Sequence, residues 1–387
     1  MRKTPLLVLA VLAAVATACS SGGGSDSAPS RPVIPESTSE SPTQATTSGK
    51  KACTDGYLAQ FTLRQKLAQL LTVGITGQAD AANVVSTEQV GGIFVGGWTD
   101  LSLLSTGQLD QVKQTAKVPL MVTIDEEGGR VSRVRSLIGE ALSARATVPA
   151  MSAEQFYQET LTRGRKLKDL GVTVNFAPDV DVSSQPDDSV IGDRSFSADP
   201  AVVTEYADAY IRAMREVGVG TVLKHFPGHG SASGDSHRGA VRTPPLADLQ
   251  TVDLVPYRAL INSGAGVMVG HLDVPGLTTP EVPASISPQV MTLLREGRDY
   301  GAAPFQGPIF TDDLGGMAAI TNRLSIADAV EAALVAGADN ALWITTDAVP
   351  SVLDQLEQAV SAGRLPAAQV DASVLRMAAF KGALPRC

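Results

Sequence analysis

Gly220-Thr221-Val222-Leu223-Lys224-His225-Phe226-Pro227-Gly228-His229-Gly230-Ser231-Ala232-Ser233-Gly234-Asp235-Ser236-His237 joins a strand signal to a glycine loop and holds three of the chain's four histidines. The small, β-branched and aliphatic residues at 220–223 read as a buried strand, so Lys224 and His225 are expected to emerge at its end. Gly228, Gly230 and Gly234 then make a flexible loop that carries Asp235 and His237. Seven other short apolar runs match this one: Leu71 to Gly74, Gly92 to Val95, Leu120 to Ile124, Val172 to Phe176, Val267 to Val269, Ile309 to Phe310 and Ala341 to Ile344. Helical patterns such as Ala201 to Val217 and Ala327 to Ala336 lie between them. Continuous apolar strands alternating with helices imply a parallel sheet covered on both faces. Eight repeats predict an α/β fold, a single (β/α)8 TIM-like barrel.

Polar residues gather where these runs end. The ends read Asp125-Glu126-Glu127-Gly128-Gly129, Ala177-Pro178-Asp179-Val180-Asp181, Lys224-His225, His271-Leu272-Asp273, Thr311-Asp312-Asp313 and Thr345-Thr346-Asp347. One Asp or Gly in such a place serves as a turn or cap residue. Repeated strand after strand, the pattern predicts one pocket on the face where barrel enzymes build their active sites.

Three chemistries compete for residues 224–237. The plainest is a glycine loop with surface histidines. A metal site is the second, since Asp and His are good ligands. The stretch offers no cysteine and no helical His-x-x-x-His pair, so no metal is expected. The third is acid/base catalysis. A histidine two residues from a carboxylate can be oriented by it and held toward its charged form, which makes a proton donor near neutral pH. That chemistry requires a nucleophile from elsewhere in the chain.

The N-terminus has Arg2 and Lys3, then thirteen largely apolar residues from Leu6 to Ala18, then Cys19. This pattern reads as a secretory signal over 1–18, too short to span a bilayer comfortably. Small residues before a cysteine resemble the bacterial lipoprotein box, in which cleavage precedes Cys19 and the new terminus is acylated. Residues 20–52 are dominated by Ser, Thr, Gly and Pro and read as a disordered tether reaching roughly 30 Å. The globular domain is expected over 53–387. The chain has 31 basic and 40 acidic residues, of which five and three precede residue 53, so the folded part carries a net charge of −11. That balance argues against nucleic acid and against electrostatic binding to anionic membranes. With Cys19 lipidated, Cys53 and Cys387 remain, one at each end of the barrel. A disulfide between them is expected in an exported protein, two free thiols being the alternative.

The motifs Asp125-Glu126-Glu127-Gly128-Gly129-Arg130-Val131-Ser132-Arg133, Asn175-Phe176-Ala177-Pro178-Asp179-Val180-Asp181 and Ile191-Gly192-Asp193-Arg194-Ser195-Phe196 come first. Lys224 to Gly230 with Asp235-Ser236-His237 follows, then Thr311-Asp312-Asp313-Leu314. Their order resembles glycoside hydrolase family 3, specifically its β-N-acetylglucosaminidase branch, over residues 55 to 385. The resemblance implies Asp312 as nucleophile, His237 as general acid/base and Asp235 as its dyad partner. It also implies that Asp125, Arg133, Arg194, Lys224 and His225 line the subsite for the non-reducing sugar, gripping hydroxyls with charged donors. A rim salt bridge for the two arginines, and a buried polar pair for Lys224 and His225, are the purely structural alternatives.

The activity so implied is retaining hydrolysis in two displacements, with no metal or organic cofactor. The expected protein is an exported, lipid-anchored, monomeric exo-β-N-acetylglucosaminidase. It removes terminal GlcNAc from cell-wall saccharides such as GlcNAc-β-1,4-MurNAc or muropeptides and touches the membrane only through its anchor. A β-glucosidase or a phosphorylase of the same family are rival activities, and a tethered barrel that binds wall sugars without cleaving them is a rival of another class. Two departures from the family pattern stand out: Glu126 where Gln is common, and Gly315-Gly316-Met317 where Ser-Met is usual. Glu126 beside Asp125 raises a second mechanism, substrate-assisted cleavage by an acid pair. The larger relatives carry an additional α/β sandwich after the barrel, and none is expected here.

Overall fold

Eight short buried runs form strands β1 (Leu71–Ile75), β2 (Gly92–Val95), β3 (Met121–Ile124), β4 (Val174–Asn175), β5 (Gly220–Phe226), β6 (Gly266–Val269), β7 (Ile309–Asp313) and β8 (Asn340–Trp343) in a computed structural model that describes residues 53–384. Each strand pairs in parallel with the next, and β8 pairs with β1, closing the barrel. The expected signal peptide, Cys19, the tether and Cys387 lie outside the described residues. Cys53 is disulfide-bonded. Among the described residues no helix is long and apolar enough to cross a membrane.

Helices follow the strands: α1 (Gln78–Glu88), α2 (Gln108–Gln114), α3 (Ala153–Asp169), α4 (Pro200–Glu216), α5 (Leu254–Leu260), α6 (Pro288–Glu296), α7 (Ile326–Ala336), α8 (Val349–Ser361) and α9 (Ala367–Phe380). The start of α4 is written locally, because the Asp199 side chain accepts from the Ala201 N–H and Pro200 supplies a helical φ at the first position. Its Val203, Tyr206, Ala207, Tyr210 and Met214 recur at helical spacing and are all buried, with α3 packed beside it. Each fully buried aliphatic side chain of this kind contributes roughly 1.5–3 kcal/mol.

Inside the barrel, aromatic rings run in a column. Phe380 of α9 lies 5.8 Å from Phe310 on β7, which lies 5.6 Å from Phe176; Phe176 lies 6.0 Å from Phe94 on β2. Two expectations shift. The run at 172–176 contributes only Val174–Asn175 as strand, although the chain keeps to the edge of β5 beyond it, with the Ala177 carbonyl accepting from the Val222 N–H at 3.1 Å and the Val180 N–H donating to the Lys224 carbonyl at 2.9 Å. Lys224 and His225 sit within β5 rather than beyond it, because Phe226 is also buried and rejoins β6 at Val269 after a register shift.

Candidate active site

Beyond β3 the chain forms a hairpin of Glu126–Gly128 with Val131–Ser132. The buried amide of Asn175 clamps it: Oδ1 accepts from the Glu126 N–H at 2.9 Å and Nδ2 donates to the Glu126 carbonyl at 2.8 Å. Side chains alternate along an extended segment, so Asp125 and Glu127 share one side and Glu126 takes the other. Asp125 and Glu127 line the cavity described below. Glu126 is buried away from it, held by Ser132 Oγ, by the N–H groups of Arg133 and Val134 at 2.7 and 3.1 Å, and by Arg163 at 2.6 Å. The Asp125–Glu126 acid pair of the substrate-assisted alternative therefore does not exist. Glu126 is the keystone of the hairpin.

Lys224 reaches Asp125 Oδ1 at 2.7 Å and Glu127 Oε1 at 2.6 Å. Arg194 grips Glu127 with two parallel bonds of 2.9 and 2.8 Å and approaches Asp179 Oδ2 at 3.4 Å. Burial alone pushes the Glu127 carboxyl up, but these two cations outweigh it and hold Glu127 well below the usual carboxylate range. Arg133 is a looser member, 3.8 Å from Asp125, and its buried Nε has no partner among the described residues. His225 Nδ1 lies 2.6 Å from Asp181 Oδ2, leaving Nε2 near Arg194. Burial, aided by Arg194 and Lys224 and opposed by Asp179 and Asp312, lowers the imidazole from its ordinary value.

On β7, Asp312 is buried and accepts from the Asp313 N–H at 2.9 Å. Burial raises its carboxyl, yet His225, His271, that N–H and Lys224 together hold it below its ordinary value, so it is ionised. His271 stands behind the strand, with Nε2 2.8 Å from the Asp313 carbonyl and Nδ1 2.7 Å from Ser285 Oγ. Asp313 lines the cavity beside Asp312, cradled by the Gly315 N–H at 2.8 Å. Burial and the adjacent Asp312 push its carboxyl up to about 6. The departure to Gly315-Gly316 has a steric reason here, since a Cβ on Gly316 would sit 2.4 Å from Asp313 Oδ2.

The glycine loop is pinned at its root. Gly228 has φ +134°, and a Cβ there would meet Asp253 at 2.3 Å; one on Gly230 would meet the Val182 carbonyl at 2.1 Å. Only glycine fits both. Ser233 and Arg242 exchange backbone bonds of 2.8 and 3.2 Å, and the Ser236 carbonyl accepts from Ala319 N–H at 3.1 Å. At the tip, Asp235 Oδ1 accepts from the His237 N–H at 3.0 Å and lies 2.8 Å from its Nδ1. Against the upward push of burial, these bonds hold the Asp235 carboxyl below its ordinary value. The His237 side chain stays 59% exposed, which leaves Nε2 open toward a ligand.

All of these elements converge on one cavity of about 550 Å3, lined among others by Asp125, Arg133, Arg194, Lys224, His225, Asp235, His237 and Asp312. Every catalytic and sugar-binding position expected from the sequence is thus brought to one place. Sequence reasoning passed over Glu127, Asp313 and Trp98, which line the same cavity. Glu127 follows Asp125 by two residues, and that spacing was its readable signal. Asp179, Asp181 and His225 are close enough to hold a cation, their ligand atoms lying within 4.8 Å of one another. In the cluster Asp181 Oδ1 accepts from the His229 N–H at 2.6 Å and Arg194 supplies positive charge beside Asp179, whose Oδ2 has no hydrogen-bond partner among the described residues.

A model of the glycosyl hydrolase family 3 N-terminal domain matches residues 62–380. The chain belongs to this family. It is 50% identical over 394 residues to the β-hexosaminidase LpqI of Mycobacterium tuberculosis, covering 99% of this chain and 98% of the relative. The solved structure of M. tuberculosis LpqI superposes with a TM-score of 0.84 and 54% identity, covering 86% of this chain and 98% of that one. A family 3 glycosyl hydrolase from Mycobacterium smegmatis superposes with a TM-score of 0.83 and 58% identity, covering 85% and 99%. As a family 3 member the chain is a glycoside hydrolase, and its own cavity lies at the C-terminal ends of the barrel strands.

Proposed function

We propose that the protein is a retaining exo-β-N-acetylglucosaminidase that removes terminal GlcNAc from cell-wall saccharides. It acts as a monomer on the outer side of the membrane, tethered through Cys19. The observation that carries this reading is the meeting of an ionised, buried Asp312 with an exposed Asp235–His237 dyad across one cavity walled by Lys224, Arg194 and Asp125. The kinship with a β-hexosaminidase of almost the same length supports the sugar class.

In the first step Asp312 attacks the anomeric carbon while His237 Nε2 protonates the departing oxygen; Asp235, on Nδ1, fixes the ring and stabilises the imidazolium. In the second, His237 takes a proton from water, which attacks the glycosyl-enzyme and releases the sugar with its configuration retained. Lys224, Arg194 and Asp125 form a charged wall suited to ring hydroxyls. A neutral imidazole repels an incoming anion less than a carboxylate base would, so phosphate is the natural rival nucleophile. The test compares release from p-nitrophenyl β-GlcNAc and β-glucoside, each with and without phosphate. Fast release from the aminosugar alone, unchanged by phosphate, is expected. Preference for the glucoside, or a sugar phosphate product, would replace this reading.

A further inference from the structure

We propose that Trp98 is the platform for the leaving group: a second pyranose ring, the one released, stacks on this indole at the cavity mouth while the terminal sugar sits deeper against Lys224 and Asp125. The inference rests on the hexosaminidase reading and adds a recognition residue to it. Large apolar side chains left open to water point to binding surfaces when they adjoin a cleft. Trp98, Leu137, Leu142 and Val335 are the exposed large apolar residues among those described, and of these Trp98 alone lines the cavity, with 48% of its surface free.

The ring is also held ready. Thr99 Oγ1 donates to the Ile75 carbonyl at 2.7 Å and accepts from the Gly96 N–H at 3.0 Å, which staples the Gly96–Thr99 turn to the end of β1. The indole lies against Gly96, where a Cβ would come within 2.5 Å of it, and Phe94 stands behind at 6.1 Å. Trp98 thereby tops the aromatic column of the barrel. An aromatic surface ordered before binding loses little freedom when a ligand arrives. The Arg133 guanidinium borders the same turn, 3.9 Å from the position of a Gly97 Cβ, so the platform is continuous with the charged inner wall. A cavity of about 550 Å3 is the size of sites that take ligands larger than one ring. The apolar C–H face of a pyranose suits an indole, while its hydroxyls stay at the wet rim.

The test sets a leaving group with a ring against one without. Trp98→Ala and Trp98→Phe are assayed on the disaccharide GlcNAc-β-1,4-GlcNAc and on β-GlcNAc fluoride. Trp98→Ala is expected to lower kcat/KM for the disaccharide about tenfold and to leave the fluoride within twofold, with Phe restoring most of the loss. Fluoride turnover doubles as the check that the variant folds. Equal effects on both substrates, or none on the disaccharide, would overturn the platform while leaving the hexosaminidase reading intact; wild-type inactivity on both would overturn the two together. Binding gives a second readout, because the chain has two tryptophans and Trp343 is buried. In an Asp312→Asn background the disaccharide should shift the emission, and Trp98→Phe should abolish that shift.

Discussion

Glu127 sits between Arg194 and Lys224, three charges largely withdrawn from water and sharing one set of short bonds. Glu127→Gln leaves both cations without their common counter-charge, an imbalance that costs on the order of 3–5 kcal/mol when it stays buried. Urea denaturation should show that loss in the midpoint, and activity should fall with it through misplacement of Lys224. A stability within about 0.5 kcal/mol of wild type would mean that water already screens the cluster. At the reacting groups, His237→Ala should slow natural saccharides by about 10²–10⁴-fold and activated aryl glycosides far less, because good leaving groups do not need a proton. Equal damage to both would remove His237 as the donor. The sequence made Asp312, His237 and Asp235 legible because their motifs are local. Glu127 stood beside a named residue and escaped, because its importance lies in Arg194 and Lys224, partners folded in from other segments; Asp313 escaped because its cradle, the Gly315 N–H two residues on, is a matter of turn geometry.

The root of the loop from Gly228 to His237 meets the head of helix α5 at Asp253. Asp253 stands at the head of α5 against Gly228, nearly inaccessible, and its Oδ1 has no partner among the described residues. Burial, with Asp181 adding to it, pushes its carboxyl up to about 7. The folded state therefore holds this proton more tightly than the unfolded chain, where Asp titrates near 3.9. The stability so gained is full below pH 4 and is lost as pH rises through about 7. Asp253→Asn should raise the Tm at pH 8, by about 2 kcal/mol in stability, and show almost no gain at pH 4. A gain independent of pH would refute the burial argument. Among the loop's further ties, the one nearest its tip is the Ser236 carbonyl on the Ala319 N–H. Ala319→Pro removes that donor, and with one hydrogen bond worth about 1 kcal/mol, disaccharide turnover should fall about fivefold while aryl turnover changes less. That tie joins residues far apart in sequence, and no motif announced it; the glycines that permit the loop were plain from the start.

At the scale of the whole molecule, the barrel was readable from eight apolar runs, because a parallel sheet buried on both faces leaves no room for polar alternation. The strand limits were less so, and β5 runs two residues past Lys224 because Phe226 is needed in the core. The aromatic column that ends at Trp98 could not be read, since its five rings come from four separate βα units. The N-terminal reading makes its own prediction: the wild-type chain should partition into detergent and Cys19→Ser into the aqueous phase. Aqueous partitioning of both would remove the anchor. The central claim, that Asp312 bonds to the sugar opposite His237, is tested most directly by mass spectrometry after incubation with a 5-fluoro GlcNAc fluoride. The account predicts one added sugar on the peptide containing Asp312, absent in Asp312→Asn; a label on another carboxylate, or steady turnover with no covalent species and an oxazoline product, would contradict it.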